Sequence, residues 1–102
     1  MSIRSLAVVA AVLALGMAGC NKTEAARSTL ELNVDRPGSD FDNFDLDEAK
    51  PELCQARCAA NPRCLAVTYV KPGVQGAKAR CWLKDPAPPA IPSECCVSGV
   101  RR

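Results

Sequence analysis

Closely spaced cysteines limit what this chain can fold into more than any other feature of its sequence. The stretch ELCQARCAANPRC, residues 52–64, contains three of the seven cysteines, and Cys81, Cys95 and Cys96 follow it. A chain of 102 residues buries a modest share of its surface, so a domain of this size often depends on disulfides or a metal for stability. The role of the cysteines, as zinc ligands, as a redox centre or as disulfides, therefore decides what kind of protein this is.

A disulfide role agrees best with the spacing of Cys54 and Cys58. These residues are four positions apart in a predicted helix, so their side chains point the same way and suit partners elsewhere. Thiol–disulfide enzymes instead use Cys-x-x-Cys at a helix N-terminus. Structural zinc sites use short cysteine knuckles, often with histidine, which this chain lacks. We therefore expect no metal and no other cofactor.

Residues 1–20 have the pattern of an export signal. One positive charge precedes the apolar run Leu6–Leu15, which is too short for a transmembrane helix of ~20 residues and is typical of a secretory signal peptide. The following LGMAGC resembles the bacterial lipobox, with Met17 where leucine is usual. That resemblance implies cleavage before Cys20 and lipidation of its side chain and amino group. The alternative is ordinary cleavage near Ala18, which leaves Cys20 as a free thiol.

The signal divides the chain into three parts: a signal peptide over residues 1–19, a tether over 20–29 and one domain over 30–102. Lipidation of Cys20 leaves an even set of six cysteines, as a disulfide framework in an exported protein requires. Asn21 resembles the sorting signal of outer-membrane lipoproteins, so we expect a lipid anchor in the cell envelope, with the domain facing the periplasm or the surface. The nearly neutral domain gives no indication of nucleic acid as a partner.

Local patterns predict an α+β domain with one helix. The alternation of LELNV predicts a strand, and acids followed by good helix formers predict a helix that ends before Asn61-Pro62. A loop anchored by Phe41 and Phe44 is expected between them. The proline-rich residues 85–94 are expected to be extended and to lack ladder hydrogen bonds at the prolines. The predicted elements are strands over 30–34, 64–70, 80–84 and 95–100 and a helix over 45–60, the middle two strands forming a hairpin with a long loop.

The stretch ELCQARCAANPRCLAVTYV, followed by ARCWLK, resembles the PAN/apple family of domains. The resemblance extends over about residues 35–100. It implies a small antiparallel sheet of about five strands with one helix held against it, and disulfides Cys54–Cys81 and Cys58–Cys64. The chain departs from the apple pattern at its ends, because no cysteine of the domain precedes Cys54. Cys95 and Cys96 have no obvious distant partners. They are left to pair with each other, to bridge to another molecule, to remain reduced, or to exchange with the core disulfides.

The resemblance implies a binding module for protein or carbohydrate ligands, with no reaction of its own. The absence of histidine excludes Ser–His and Cys–His nucleophile pairs. The acidic stretch DFDNFDLDE lacks a glycine and a terminal glutamate at the EF-hand spacing, which favours solvated carboxylates over a calcium site. The loop between the hairpin strands is the best candidate for recognition, since loops on rigid scaffolds often carry binding. The candidate ligand-binding residues are Lys71, Lys78, Arg80 and Trp82.

Two other functions remain open at this point. One is a structural envelope lipoprotein without a dedicated ligand. The other is a thiol-redox protein that uses Cys95–Cys96. Trp82 and Tyr69 are expected in the core or as cross-strand partners, and either ring would stack on a sugar if it is exposed.

Overall fold

The computed structural model describes residues 29–101. The predicted signal peptide, the lipidation at Cys20 and nearly all of the tether lie outside these residues. The domain contains five strands and one helix in the described part. These are β1 (Leu30–Asp35), β2 (Asp40–Leu46), α1 (Pro51–Ala59), β3 (Ala66–Val70), β4 (Ala79–Lys84) and β5 (Ile91–Val100).

All five strands form one antiparallel sheet in the order β1-β5-β3-β4-β2. The predicted hairpin is present as β3 and β4, joined by residues 71–78. The expected α+β class, with about five strands and one helix, is confirmed. No helix within residues 29–101 has the length and apolar character needed to cross a membrane.

The core lies between α1 and one face of the sheet. Because side chains alternate along a strand, Val67 and Tyr69 of β3 point to the same face as Cys81 and Leu83 of β4, and all four are at most 3 % exposed. Two disulfides connect this layer to the helical segment: Cys54 is bonded to Cys81 with a Cα–Cα distance of 5.4 Å, and Cys58 to Cys64 with 5.2 Å. These are the two pairs that the family resemblance implies.

The opposite face of the sheet is partly covered by the β1–β2 link, residues 36–39, and by the residues that flank it. Thr68 of β3 donates a hydrogen bond to Asp35, and Lys84 of β4 donates to the carbonyl of Gly38 and to Asp40. Thr68 and Lys84 are both 2 % exposed. Polar side chains are therefore buried on this face, and each has a hydrogen-bonding partner.

The prediction that residues 35–44 form a loop and that the helix begins at Asp45 is wrong. Residues 40–46 form β2, in which Phe44 and Leu46 turn their side chains to the core side and pair with Cys81 and Ala79 of β4. The helix begins only at Pro51, whose fixed φ and missing N–H suit the first helical position. The acids of β2 therefore form an exposed strand edge and not a helix N-terminus.

The last strand is longer than predicted. β5 begins at Ile91, four residues before the predicted start, and Pro92 lies in register with Val34 of β1. Pairing of β5 with β3 begins only at Cys96. Pro92 therefore has a ladder neighbour on one side alone, which is where a residue without an N–H is tolerated in a sheet.

Candidate functional site

A solvent-filled groove of about 240 Å³ lies on the sheet face opposite α1. Three parts of the chain enclose it: the β1–β2 link with its flanking residues, the hairpin loop at Val74 and Gln75, and the Cys95–Cys96 segment of β5. Strands β3 and β4 form its floor through Thr68, Val70, Trp82 and Lys84. We refer to this feature as the groove.

Trp82 provides the aromatic surface of the groove. It is partly exposed, in contrast to its β4 neighbours Cys81 and Leu83 on the core face. Its indole Nε1 donates a hydrogen bond of 2.9 Å to Gln75 Oε1, so the hairpin loop holds the ring in place. The guanidinium of Arg80 lies 5.7 Å from the ring centroid, at the outer limit of a cation–π contact.

Carboxylates and one ammonium group line the opposite side of the groove. Asp35 Oδ1 accepts hydrogen bonds from Thr68 Oγ1 at 2.9 Å and from the Arg36 backbone N–H at 2.7 Å. Asp40 Oδ1 lies 2.5 Å from Lys84 Nζ. These contacts fix the acids at the edge of the groove, where a carboxylate has more than one lone pair with which to accept hydrogen bonds.

Cys95 and Cys96 form a disulfide with each other in a bulge of β5. Leu32 of β1 pairs with Val97, but Val34 pairs with Pro92, so residues 93–96 of β5 lie opposite the single residue Asn33. Asn33 takes a left-handed conformation, with φ of 58°, which asparagine adopts more readily than most residues. The bulge turns both cysteines toward the groove, although neighbouring residues of a regular strand would point to opposite faces.

The candidate ligand-binding residues of the hairpin do not form one cluster. Lys71 bonds to the Glu94 carbonyl at 2.7 Å and approaches Asn33, on the β5 side of the sheet. Lys78 pairs with Asp47, and Arg80 pairs with Asp45 and also donates to Asn43, on the β2 side. Of the four candidates, Trp82 alone lines the groove.

Sequence reasoning did not identify the polar residues of the groove, Asp35, Asp40, Thr68 and Lys84. One signal was present: Arg80, Trp82 and Lys84 alternate along β4 and must share a face. The acids gave no such signal, because Asp35 and Thr68 are 33 positions apart and meet only in the folded chain.

Within residues 29–101, no group of three or more cysteine, aspartate or glutamate side chains is arranged to hold a metal ion. Burial, together with the nearby carboxylate of Glu52, raises the pKa of Tyr69 above its ordinary value of 10.0. This phenol lies on the core face, away from the groove, and its neutral form is the one that the fold favours.

Comparison with known proteins agrees with this architecture. The family model of the PAN domain matches residues 34–84, which is half of the chain and includes β2, the helix, the β3–β4 hairpin and both core disulfides. The match ends before the Cys95–Cys96 segment. No curated protein matches the chain.

Proposed function

The chain belongs to the PAN domain family, and from this premise we propose that it is a lipid-anchored, non-catalytic binding module of the bacterial cell envelope. PAN domains are generally modules that bind proteins or carbohydrates. The proposed ligand is accordingly a protein or a glycan, and the groove is the proposed place where it binds.

The observation that carries this proposal is the combination of groups in the groove. A partly exposed indole stands on one side, and the carboxylates of Asp35 and Asp40 stand on the other. Aromatic rings offer a large apolar surface at low entropic cost, while a few fixed polar groups set the orientation of a ligand. The Lys84–Asp40 ion pair and the hydrogen bonds of Asp35 and Trp82 hold both sides in place before a ligand arrives, which reduces the entropy lost on binding.

Binding assays with matched variants test the ligand site. The exported protein is applied to a glycan array and used to capture envelope proteins, and each hit is measured with wild type, Trp82→Ala and Lys50→Ala. We expect Trp82→Ala to weaken binding at least tenfold, because it removes the aromatic surface of the groove. Lys50→Ala should bind as wild type, since Lys50 is an exposed residue at the start of α1.

Two results would count against the groove. Equal binding by Trp82→Ala and wild type would place the ligand elsewhere on the domain. A consistent lack of any ligand would favour the structural envelope lipoprotein instead. Circular dichroism of both variants confirms that a loss of binding does not arise from unfolding.

The anchor rests on the lipobox-like LGMAGC and on Asn21 after the cysteine. Metabolic labelling with palmitate should mark the wild-type protein and leave Cys20→Ser unlabelled. Membrane fractionation should place the labelled protein in the outer membrane. A wild-type protein that carries no label would end the lipoprotein proposal and leave the binding function open.

A further inference from the structure

Cys95 differs from every other cysteine of the described domain in its access to solvent. Cys54, Cys64 and Cys81 are fully buried, Cys96 is 1 % exposed and Cys58 is 5 % exposed, whereas Cys95 is partly exposed. An attacking thiolate must reach a sulfur atom directly, so access decides which disulfide exchanges first. Cys95 is therefore the cysteine of the described domain that a reductant approaches most easily.

The bulge that carries this disulfide is held by contacts independent of the S–S bond. Ladder pairs close it at both ends, at Val34–Pro92 and at Leu32–Val97. In its middle, the Lys71 N–H donates to the Cys95 carbonyl at 2.9 Å. Opening the disulfide therefore leaves the strand pairing and both core disulfides in place.

We propose that Cys95–Cys96 is a thiol-exchange site at the wall of the groove, which a dithiol reductant opens and thereby alters the shape of the groove. Both cysteines line the groove together with Trp82. They lie outside the residues that match the PAN domain model, so this site is a feature of the chain and not of the matched family segment. The groove then has two states, an oxidised one with the Cys95–Cys96 disulfide and a reduced one without it.

The exchange proceeds in two balanced steps. A thiolate of the reductant attacks Cys95 Sγ, the Cys95–Cys96 bond breaks, and the Cys96 thiolate leaves and takes up a proton. The second thiolate of the reductant then attacks the reductant's first sulfur, which is bonded to Cys95 in the mixed disulfide. The Cys95 thiolate leaves and is also protonated. The protein gains two electrons and two protons, and the reductant becomes a disulfide.

Reduction removes the constraint that turns both side chains to one side. Cys96 is in register with Val70 of β3 and stays on the groove face. Cys95 is then free to rotate away from it, as alternation along a strand favours. The groove becomes wider beside Trp82.

The test needs no ligand, so its failure is distinct from a failure of the proposed binding function. The full chain is treated with increasing dithiothreitol at neutral pH, alkylated without denaturant and mapped by peptide mass. We expect Cys95 and Cys96 to be alkylated at least ten times faster than the four core cysteines. The emission of Trp82, the single tryptophan, should rise in step with this labelling, because disulfides quench nearby indole rings.

The double variant Cys95→Ser/Cys96→Ser is the matched control, and its emission should not respond to the reductant under these conditions. If this variant does not fold, wild type that is reduced and then reoxidised by a disulfide donor replaces it, and its emission should return to the starting value. Loss of all three disulfides at one rate would overturn the proposal. So would alkylation of Cys95 and Cys96 with no change in Trp82 emission, since the groove would then be insensitive to the bond.

Discussion

Lys84 and Asp40 form an ion pair at the edge of the groove, in which the lysine is buried and the aspartate is partly exposed. The Lys84 ammonium lies 2.5 Å from Asp40 Oδ1, and the lysine side chain is only 3 % exposed, while that of Asp40 is 31 % exposed. The same ammonium donates to the Gly38 carbonyl at 3.2 Å. Removing an ammonium from water costs several kcal/mol, which its partners must offset. The position of the β1–β2 link therefore depends on this lysine.

Asp40→Asn should destabilise the domain by about 1–3 kcal/mol, because it leaves the buried Lys84 charge without a counter-ion. Since Asp40 is partly exposed, the loss should be smaller than for a fully buried ion pair. Urea unfolding measures the change. Lys84→Met removes the charge and keeps most of the stem, so its effect should stay within about 1 kcal/mol. The exposed Glu48–Lys50 pair supplies the control, and Glu48→Gln should change stability by at most about 0.5 kcal/mol. Equal effects of Asp40→Asn and Glu48→Gln would show that Lys84 does not need its partner.

The two core disulfides should contribute unequally to stability. Cys54–Cys81 joins residues 27 positions apart and Cys58–Cys64 joins residues 6 apart. By the loop-entropy relation, the longer loop is worth about 3.6 kcal/mol and the shorter about 2.2 kcal/mol. Unfolding of the paired Cys→Ala variants should therefore show a larger loss for Cys54/Cys81. A larger loss for Cys58/Cys64 would contradict this order.

Features with a local signal were predictable from the sequence. The i, i+4 spacing placed Cys54 and Cys58 on one face of the helix, and two short apolar segments around a Gly- and Pro-containing loop indicated the β3–β4 hairpin. The cysteine pairing came from the family resemblance and not from local patterns. The helix face and the hairpin depend on residues close in sequence, and the cysteine pairing follows the disulfide pattern of the family.

The rest depends on contacts between distant parts of the chain. The sequence of Asp40–Leu46 is typical of an acidic loop, and the segment is a strand because it pairs with β4. Its register with β4 shifts between Asp40 and Asp42, which interrupts the alternation of side chains between the two faces. The bulge at Cys95–Cys96 exists because Asn33 of β1 stands opposite four residues of β5. No pattern within either strand reveals that mismatch, so the β5 wall of the groove could not be predicted.

Gly99 should be intolerant of a side chain. A Cβ atom there would lie 3.2 Å from Leu30 Cδ2 and 3.2 Å from the Thr29 carbonyl oxygen, closer than most Cβ contacts, so both neighbours would have to move by a few tenths of an ångström. We expect Gly99→Ala to cost about 1–3 kcal/mol, as overpacking in a filled core usually does. Leu30→Ala removes one of the two obstacles. In urea unfolding, the double variant should therefore lose less than the sum of the single losses, and strict additivity would argue against a clash with Leu30.

Tyr69 should make the domain less stable at alkaline pH. Burial and the Glu52 carboxylate raise the pKa of this phenol above 10.0 in the folded state. Between the unfolded and folded pKa values the unfolded chain releases the proton and the folded chain keeps it, so stability falls as pH rises from about 10.

Because Tyr69 is the single tyrosine, absorbance at alkaline pH titrates it alone, and its midpoint should lie above 10.0. Urea unfolding at pH 8 and pH 11 should show a smaller loss for Tyr69→Phe than for wild type. The loss that remains in that variant measures contributions other than the phenol, and equal losses in the two proteins would mean that the phenol is not linked to folding.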